Sequence, residues 1–233
     1  MNYKKIKLSD DGTFFTINKK KVFKTFICAL KFHAPGLAPV QDDSGWYHID
    51  DNGSPIYKQR YKRTFGYYCN RAAVIDKNNN WYHIDIHGNR IYKEKYVWCG
   101  NYQEDLCAVR DFQNNYFHID LNGKRIYNEN YRYVGDFKDG YAAVRLINGL
   151  YKHIDKEGED LNGRLFKDLG VFHKSFATAK DDRGWFHIDK LGNNLYPERY
   201  AMTEPFYNGF ALVETFEGKK IIIDEKGKFI VDI

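Results

Sequence analysis

Five histidines recur in one setting: His48, His83, His118, His153 and His187, each followed two residues later by an aspartate. One imidazole and one carboxylate per copy could in principle hold a metal or relay a proton. A catalytic centre, however, needs a few different groups in one place, not the same pair in every copy. Repetition at a fixed period is first a folding signal. Each histidine is therefore expected to bond a neighbouring strand or its own aspartate and to fix the repeat. The remaining nucleophile candidate is Cys28 with His33, five residues apart in poorly patterned sequence. Cys107 and Cys99 fall on repeated core positions. No Cys-x-x-Cys spacing links the four cysteines (Cys28, Cys69, Cys99, Cys107), so a zinc site has no support. Free buried thiols in a reducing compartment are expected.

Those histidines sit inside a longer repeat. Trp46–Asp50, Trp81–Asp85, Tyr116–Asp120, Tyr151–Asp155 and Trp185–Asp189 share the pattern aromatic, x, His-Ile-Asp, and Lys220–Asp224 is a degraded copy. The aspartates are 35, 35, 35, 34 and 35 residues apart, each followed three residues on by Gly53, Gly88, Gly123, Gly158, Gly192 or Gly227. A small residue two before an apolar one keeps the same period at Ala72/Val74, Cys107/Val109, Ala142/Val144, Ala177/Ala179 and Ala211/Val213.

Alternating, aromatic-rich segments separated by turn residues predict strands of about five residues. Tyr131–Phe137, Tyr141–Leu146, Tyr151–Asp155 and a fourth piece, best seen as Arg90-Ile-Tyr92 or Arg125-Ile-Tyr127, fill the repeat and leave no room for a helix. Asn148-Gly149 is read as a tight hairpin turn. The aspartate reads as a turn acceptor, with the glycine supplying a positive φ. Large residues on both faces of the signature strand predict that both are covered, the small residues allowing close approach.

The expected fold is thus all-β, a tandem array of about six to seven four-stranded repeats. A unit of that size suits a propeller-like arrangement; an open solenoid or arc, which accepts surplus terminal strands, is the alternative. One repeat domain spans 1–233: a decayed capping hairpin over 1–25, with Phe14–Asn18 as a worn signature, then repeats at 26–58, 59–93, 94–128, 129–163, 164–197 and 198–233. The copy at 129–163 is the most altered, with Lys152 in place of an aromatic and Leu161-Asn162-Gly163 in place of the Ile-Tyr pair.

The chain has 233 residues, 43% hydrophobic and 17% aromatic, which excludes low-complexity and disordered classes. Residues 1–35 hold eight lysines against Asp10 and Asp11, so more than the entire net charge of +5 lies at one end. A solvated basic terminus explains this more simply than a nucleic-acid face. No apolar run approaches a membrane span and nothing reads as a secretory signal, so a cytoplasmic location is expected. Gly-rich phosphate loops, Gly-x-Ser-x-Gly and His-Glu-x-x-His are absent.

Trp81–Asp85, Gly88, Tyr96 and Phe137-Lys-Asp-Gly140-Tyr-Ala142-Ala-Val144 resemble the bacterial WG-repeat proteins over nearly the whole chain. That family's unit of about 35 residues carries Trp-Gly-x-Ile-Asp, a following Gly, a Tyr and Phe-x-x-Gly-x-Ala-x-Val. Here the second position is Tyr47, Tyr82, Phe117, Lys152 or Phe186, never Gly, and His takes the third. The resemblance implies a repeat scaffold with a binding role and no catalytic residues to transfer. Gly45–Gly53 is also similar to the aromatic repeats of cell-wall and glucan-binding modules, whose shorter period argues against them. The expected function is a non-catalytic scaffold that binds another protein, with no cofactor, metal or nucleic acid. A carbohydrate-binding module and an enzyme of unrecognised type are the alternatives.

Overall fold

The computed structural model describes residues 2–233 as seven small antiparallel sheets. A single turn of 3-10 helix, Tyr3–Lys5, is the one helical element among the described residues. The first sheet comprises β1 (Lys7–Leu8), β2 (Phe15–Ile17) and β3 (Lys20–Val22). The second holds β4 (Cys28–Ala29), β5 (Ala38–Asp42) and β6 (Gly45–Ile49); the third, β7 (Arg63–Tyr68), β8 (Arg71–Ile75) and β9 (Trp81–Ile84). In the fourth are β10 (Trp98–Cys99), β11 (Cys107–Arg110) and β12 (Tyr116–Ile119), and in the fifth β13 (Tyr133–Val134), β14 (Ala142–Arg145) and β15 (Tyr151–Ile154). The sixth has β16 (Asp168–Leu169), β17 (Phe176–Asp181) and β18 (Gly184–Asp189). The last has β19 (Met202–Thr203), β20 (Phe210–Glu214), β21 (Lys220–Asp224) and β22 (Phe229–Asp232). From the second sheet onward, each therefore opens with a first strand, a middle strand and a signature strand in sequence order, the first strand having two residues except in the third sheet, where β7 has six.

The contacts divide the chain into two compact units. Unit 1 is Met1–Asn114 with Ile119–Arg125, and unit 2 is Asn115–His118 with Ile126–Ile233. In unit 1, one core gathers around Phe15, Phe26, Val40, Tyr47 and Ile49, and another around Trp46, Tyr61, Tyr67, Val74 and Ile84. The core of unit 2 includes Phe166, Phe172, Phe186, Ile188, Val213 and Ile223.

Both faces of the signature strand are covered, as expected: His83 and Ile84 point opposite ways and both are fully buried. Ala72, Cys107, Ala142, Ala177 and Ala211 are buried at the middle strands. In β14 and β15, Ala143 pairs with His153, so the small side chain lies opposite the ring.

Three expectations need correction. The fourth strand is a regular ladder only in the first and last sheets. Elsewhere two isolated bridges hold it to the signature strand, as in Ile84↔Arg90 and Trp81↔Tyr96. Three steps along one chain there face six along the other, and the surplus residues cannot join a ladder. The expected N-terminal hairpin is instead a three-stranded sheet, β1-β2-β3. Its register also lies one residue from the expected Phe14–Asn18 alignment: Phe15 packs on Phe23 and Phe32, with ring centroids 6.0 and 5.0 Å away. Those are the contacts His48 makes with Tyr57 and Tyr67 at 5.9 and 4.7 Å, so Phe15, not Thr16, takes the histidine's place. Finally, Asn148-Gly149 closes a three-residue loop, with Leu146 N–H on Leu150 O and Gly149 at φ +89°.

Candidate functional site

The signature histidines form one arrangement repeated along the chain. Nε2 of His48, His83, His118, His153 and His187 lies 2.8–3.0 Å from the carbonyl oxygens of Phe65, Gly100, Gly135, Gly170 and Glu204. Each acceptor lies seventeen residues downstream, beside or within the first strand of the next sheet or immediately after it. A carbonyl only accepts, so Nε2 carries the proton and donates. Nδ1 must then accept, and it does so from a tyrosine hydroxyl nine residues on. Tyr57 serves His48 at 2.5 Å, Tyr92 serves His83 at 2.5 Å and Tyr127 serves His118 at 2.6 Å, while Tyr196 bonds His187 likewise. The ring is neutral, doubly bonded and sealed: relative exposure is 0% for four of the five and 3% for His153. Burial drives all five pKa values down from 6.5 to about 4, against a smaller upward effect of the carbonyl bond. Such groups tie one copy to the next and offer no lone pair to a substrate.

The aspartates serve a separate turn. Asp85 Oδ1 accepts from His87 N–H at 2.9 Å and Asn89 N–H at 2.8 Å, and Asp50, Asp120, Asp155, Asp189 and Asp224 do the same two and four residues on. Of the two expected histidine partners, the neighbouring chain segment is therefore the one found, and the carboxylate is not. The turn glycine does more than supply its positive φ (+83° at Gly88). A Cβ there would lie 2.2 Å from the ring of Tyr57, the hydroxyl partner of the preceding copy. Tyr92 covers Gly123 in the same way, Tyr127 covers Gly158 and Tyr196 covers Gly227. One tyrosine per copy thus bonds its own histidine and packs on the next copy's glycine. Sequence reading missed this role, although the Ile-Tyr pair nine residues after His carried the signal.

The altered repeat shows what the device does by lacking part of it. Asn162 replaces the tyrosine against Gly192, and the buried His153 Nδ1 has no hydrogen-bond partner. Elsewhere an arginine stacks on the aromatic before the histidine, as Arg60 does on Tyr47 at 3.9 Å and Arg90 on Tyr82 at 4.5 Å. Here Lys152 instead pairs with Asp160 at 3.3 Å, an ionic exchange within the same copy. An orphaned buried nitrogen costs about 1–3 kcal/mol. Restoring the tyrosine with Asn162→Tyr, which leaves Gly163 at its positive φ of +70°, is expected to raise stability by about 1–2 kcal/mol. Urea unfolding checks this; an unchanged midpoint contradicts it.

Other candidates separate. Cys28 packs against the apolar core around Tyr67 and makes no hydrogen bond to His33, whose ring lies 4.9 Å from that of Tyr68. All four thiols are free, but only Cys99 and Cys107 are buried; Cys28 is half-buried and Cys69 exposed, correcting the expectation of four buried thiols. Burial pushes the Cys99 thiol far above its ordinary range. Among the described residues no three His, Cys, Asp or Glu side chains converge as metal ligands.

What remains exposed is also repeated. The loop between middle and signature strands begins with Phe112 in unit 1, and with Ile147 and Phe216 in unit 2. These are equivalent positions, 58%, 73% and 62% exposed. Beside Ile147 lies a depression of about 520 Å3 lined by Tyr131, Leu146 and Lys152, among others. Single exposed apolar residues are ordinary. The same loop tip carrying Phe, Ile and Phe in three copies is not a packing requirement.

Residues 116–151 and 185–219 match the family model described as WG containing repeat. Both segments start on a signature strand, so the matched region is narrower than the nearly full-length resemblance seen in the sequence. No curated protein matches. Among solved structures, the chain is similar to BamB from Moraxella catarrhalis (13% identity, TM-score 0.48, covering 85% of this chain and 70% of that one). It is also similar to the computationally designed Ika8 protein (9%, 0.49, 98% and 83%) and to the WD40 β-propeller domain of Doa1 (11%, 0.37, 93% and 88%).

Proposed function

We propose that this chain of WG-containing repeats is a non-catalytic scaffold that binds other proteins. The observation that carries the reading is the division of labour among its side chains. The signature histidines and their tyrosines are buried in ties between copies and the repeated aspartates cap turns, while exposed apolar residues recur at one loop tip. A neutral imidazole bonded at both nitrogens cannot act as base, acid or ligand without breaking the fold. The tyrosines that could stack on sugar rings are largely in the core: Tyr47, Tyr67 and Tyr102 are 2% exposed or less. That counts against the carbohydrate alternative. The exposed free thiol of Cys69 fits a reducing compartment, in keeping with a cytoplasmic location. No helix of the described residues is long and apolar enough to cross a membrane.

A partner captured from native extract supplies the test. Phe112→Ser and Ile147→Ser remove only exposed apolar surface and are each expected to shift stability by no more than about 0.5 kcal/mol, while Phe216→Ser also removes a ring that packs against Gly184. At least one is expected to weaken the captured partner about tenfold or more, in the manner of an interface anchor. Undiminished binding by all three would reject these loop tips as the contact surface. Turnover in a broad substrate screen, lost in Cys28→Ala or His33→Ala, would reject the non-catalytic reading itself.

A further inference from the structure

The altered copy at 129–163 lacks a ring where its neighbours have one. In the third and sixth sheets the residue before the signature histidine packs on a ring held by the preceding sheet. Tyr82 meets Tyr61, which bridges Trp46, and Phe186 meets Phe166, which bridges Tyr151, both with centroids 6.3 Å apart. Tyr131, bridged to Tyr116, holds the same position relative to Lys152. Lys152 presents no ring to it and reaches instead for Asp160, 3.3 Å away. The arginine that stacks on the neighbouring rings is missing as well. Arg90 lies over Tyr82 at 4.5 Å and Arg199 over Phe186 at 3.6 Å, and the equivalent positions here are Asp160 and Leu165. Both losses fall inside unit 2.

The depression of about 520 Å3 beside Ile147 lies at this place, lined by Tyr131 and Lys152 together with the apolar Leu146 and Ile147. Tyr131 is 3% exposed, and its buried hydroxyl has no hydrogen-bond partner. Such an orphan in a packed interior calls for an explanation. Burial, and then the charges of Glu129 and Asp160, push that phenol up to about 12, so the hydroxyl lies towards those carboxylates. A second depression of about 370 Å3 shares Glu129 and Lys152 with the first and is bordered by Glu157, Glu159 and Asp160. Four carboxylates there meet one ammonium, and Glu157 and Glu159 are exposed. An unfilled ring position, an orphaned hydroxyl and excess negative charge thus adjoin within one copy.

We propose that the altered copy binds a segment of a partner protein in which a tyrosine is flanked by arginine or lysine. The guest ring enters the depression against Tyr131, Leu146 and Ile147, in the place that Tyr82 fills against Tyr61 in the third sheet. Its hydroxyl bonds that of Tyr131, as a buried tyrosine requires of its polar end. The adjacent basic group sits among Glu157, Glu159 and Asp160, and those charges favour a basic segment over an acidic one. An aromatic anchor in a pocket with a charged rim is the usual centre of a protein interface. This assignment rests on the reading of the chain as a protein binder and adds the chemistry of the bound segment.

Selection of a phage-displayed random decapeptide library on the full chain tests it. Enrichment of tyrosine beside arginine or lysine is expected. A peptide so selected is expected to bind at least tenfold more weakly to Lys152→Tyr, which fills the depression with a ring of the chain's own. The same loss is expected for Glu157→Lys/Glu159→Lys, which reverses only exposed charge. Both variants are expected to keep the parent's urea midpoint, which separates a lost contact from a lost fold. Changing the peptide's tyrosine to alanine should cost a similar factor and needs no change to the protein. Selection of acidic peptides or of peptides without tyrosine would overturn the assignment. So would undiminished binding to Lys152→Tyr or to Glu157→Lys/Glu159→Lys. A cellular partner retained in full by Lys152→Tyr would remove the depression from the account and leave the scaffold reading standing.

Discussion

Lowering the pH from 7 to 5 is expected to strip this protein of most of its stability, the unfolded chain binding about five more protons than the fold. The five signature imidazoles are neutral in the fold, each with a pKa near 4 against 6.5 in an exposed histidine. A group whose folded pKa lies below its unfolded value contributes stability above the unfolded value. That stability is lost as pH falls from about 6.5 towards 4, because only the unfolded chain takes up protons there. At pH 5 each ring forfeits about 2 kcal/mol, and five together about 10 kcal/mol, as much as the whole stability of a typical domain. Carboxylates held low, such as Asp76 at about 2, lose their contribution only as pH falls from their ordinary value of 3.8 towards 2, below the window in which the imidazoles act. Urea midpoints measured across pH 4 to 8 read the slope directly. A flat profile between 7 and 5 would contradict the buried neutral rings.

His118→Ala is the second large effect. The substitution leaves Gly135 O and the Tyr127 hydroxyl without the ring they bond at 2.8 and 2.6 Å, and opens a cavity beside Phe137, whose ring centroid lies 4.6 Å from that of the imidazole. Orphaned buried partners and a side-chain-sized void together cost about 3–5 kcal/mol. At roughly 2–4 °C per kcal/mol for a chain of this size, the melting temperature falls by about 10 °C. His87 sits exposed in the turn that Asp85 caps, so His87→Ala is expected to change stability by no more than about 0.5 kcal/mol. Calorimetry on the two variants separates a buried tie from a generic loss of histidine. Equal melting temperatures would show that the ring at 118 holds nothing.

Much of this was legible in the sequence because a repeat states its own geometry. Period, buried small residues on the middle strands, turn aspartates and the structural rather than catalytic use of the histidines could all be read from spacing. The fourth strand could not be read correctly, because Arg90 to Tyr96 looks extended by composition. Only its pairing shows that it is too long for the strand it faces. Tyr57, Tyr92, Tyr127 and Tyr196 were visible as a repeated residue, but their contact with the following copy's glycine spans more than thirty residues of sequence. The register of the first sheet was misjudged by one because Phe14 and Phe15 are interchangeable as letters and differ only in which rings surround them.

The central claim is that each signature histidine is a neutral crosslink between consecutive copies, donating through Nε2 and, in all but His153, accepting at Nδ1 from a tyrosine. Long-range 1H–15N correlation of the imidazole rings in the folded protein at pH 6.5 tests it most directly. The prediction is a set of signature rings in the neutral Nε2–H form that do not titrate until the protein unfolds; only His153 lacks a tyrosine hydroxyl at Nδ1. Rings that titrate near 6.5 while the chain stays folded, or that carry the proton on Nδ1, would contradict it.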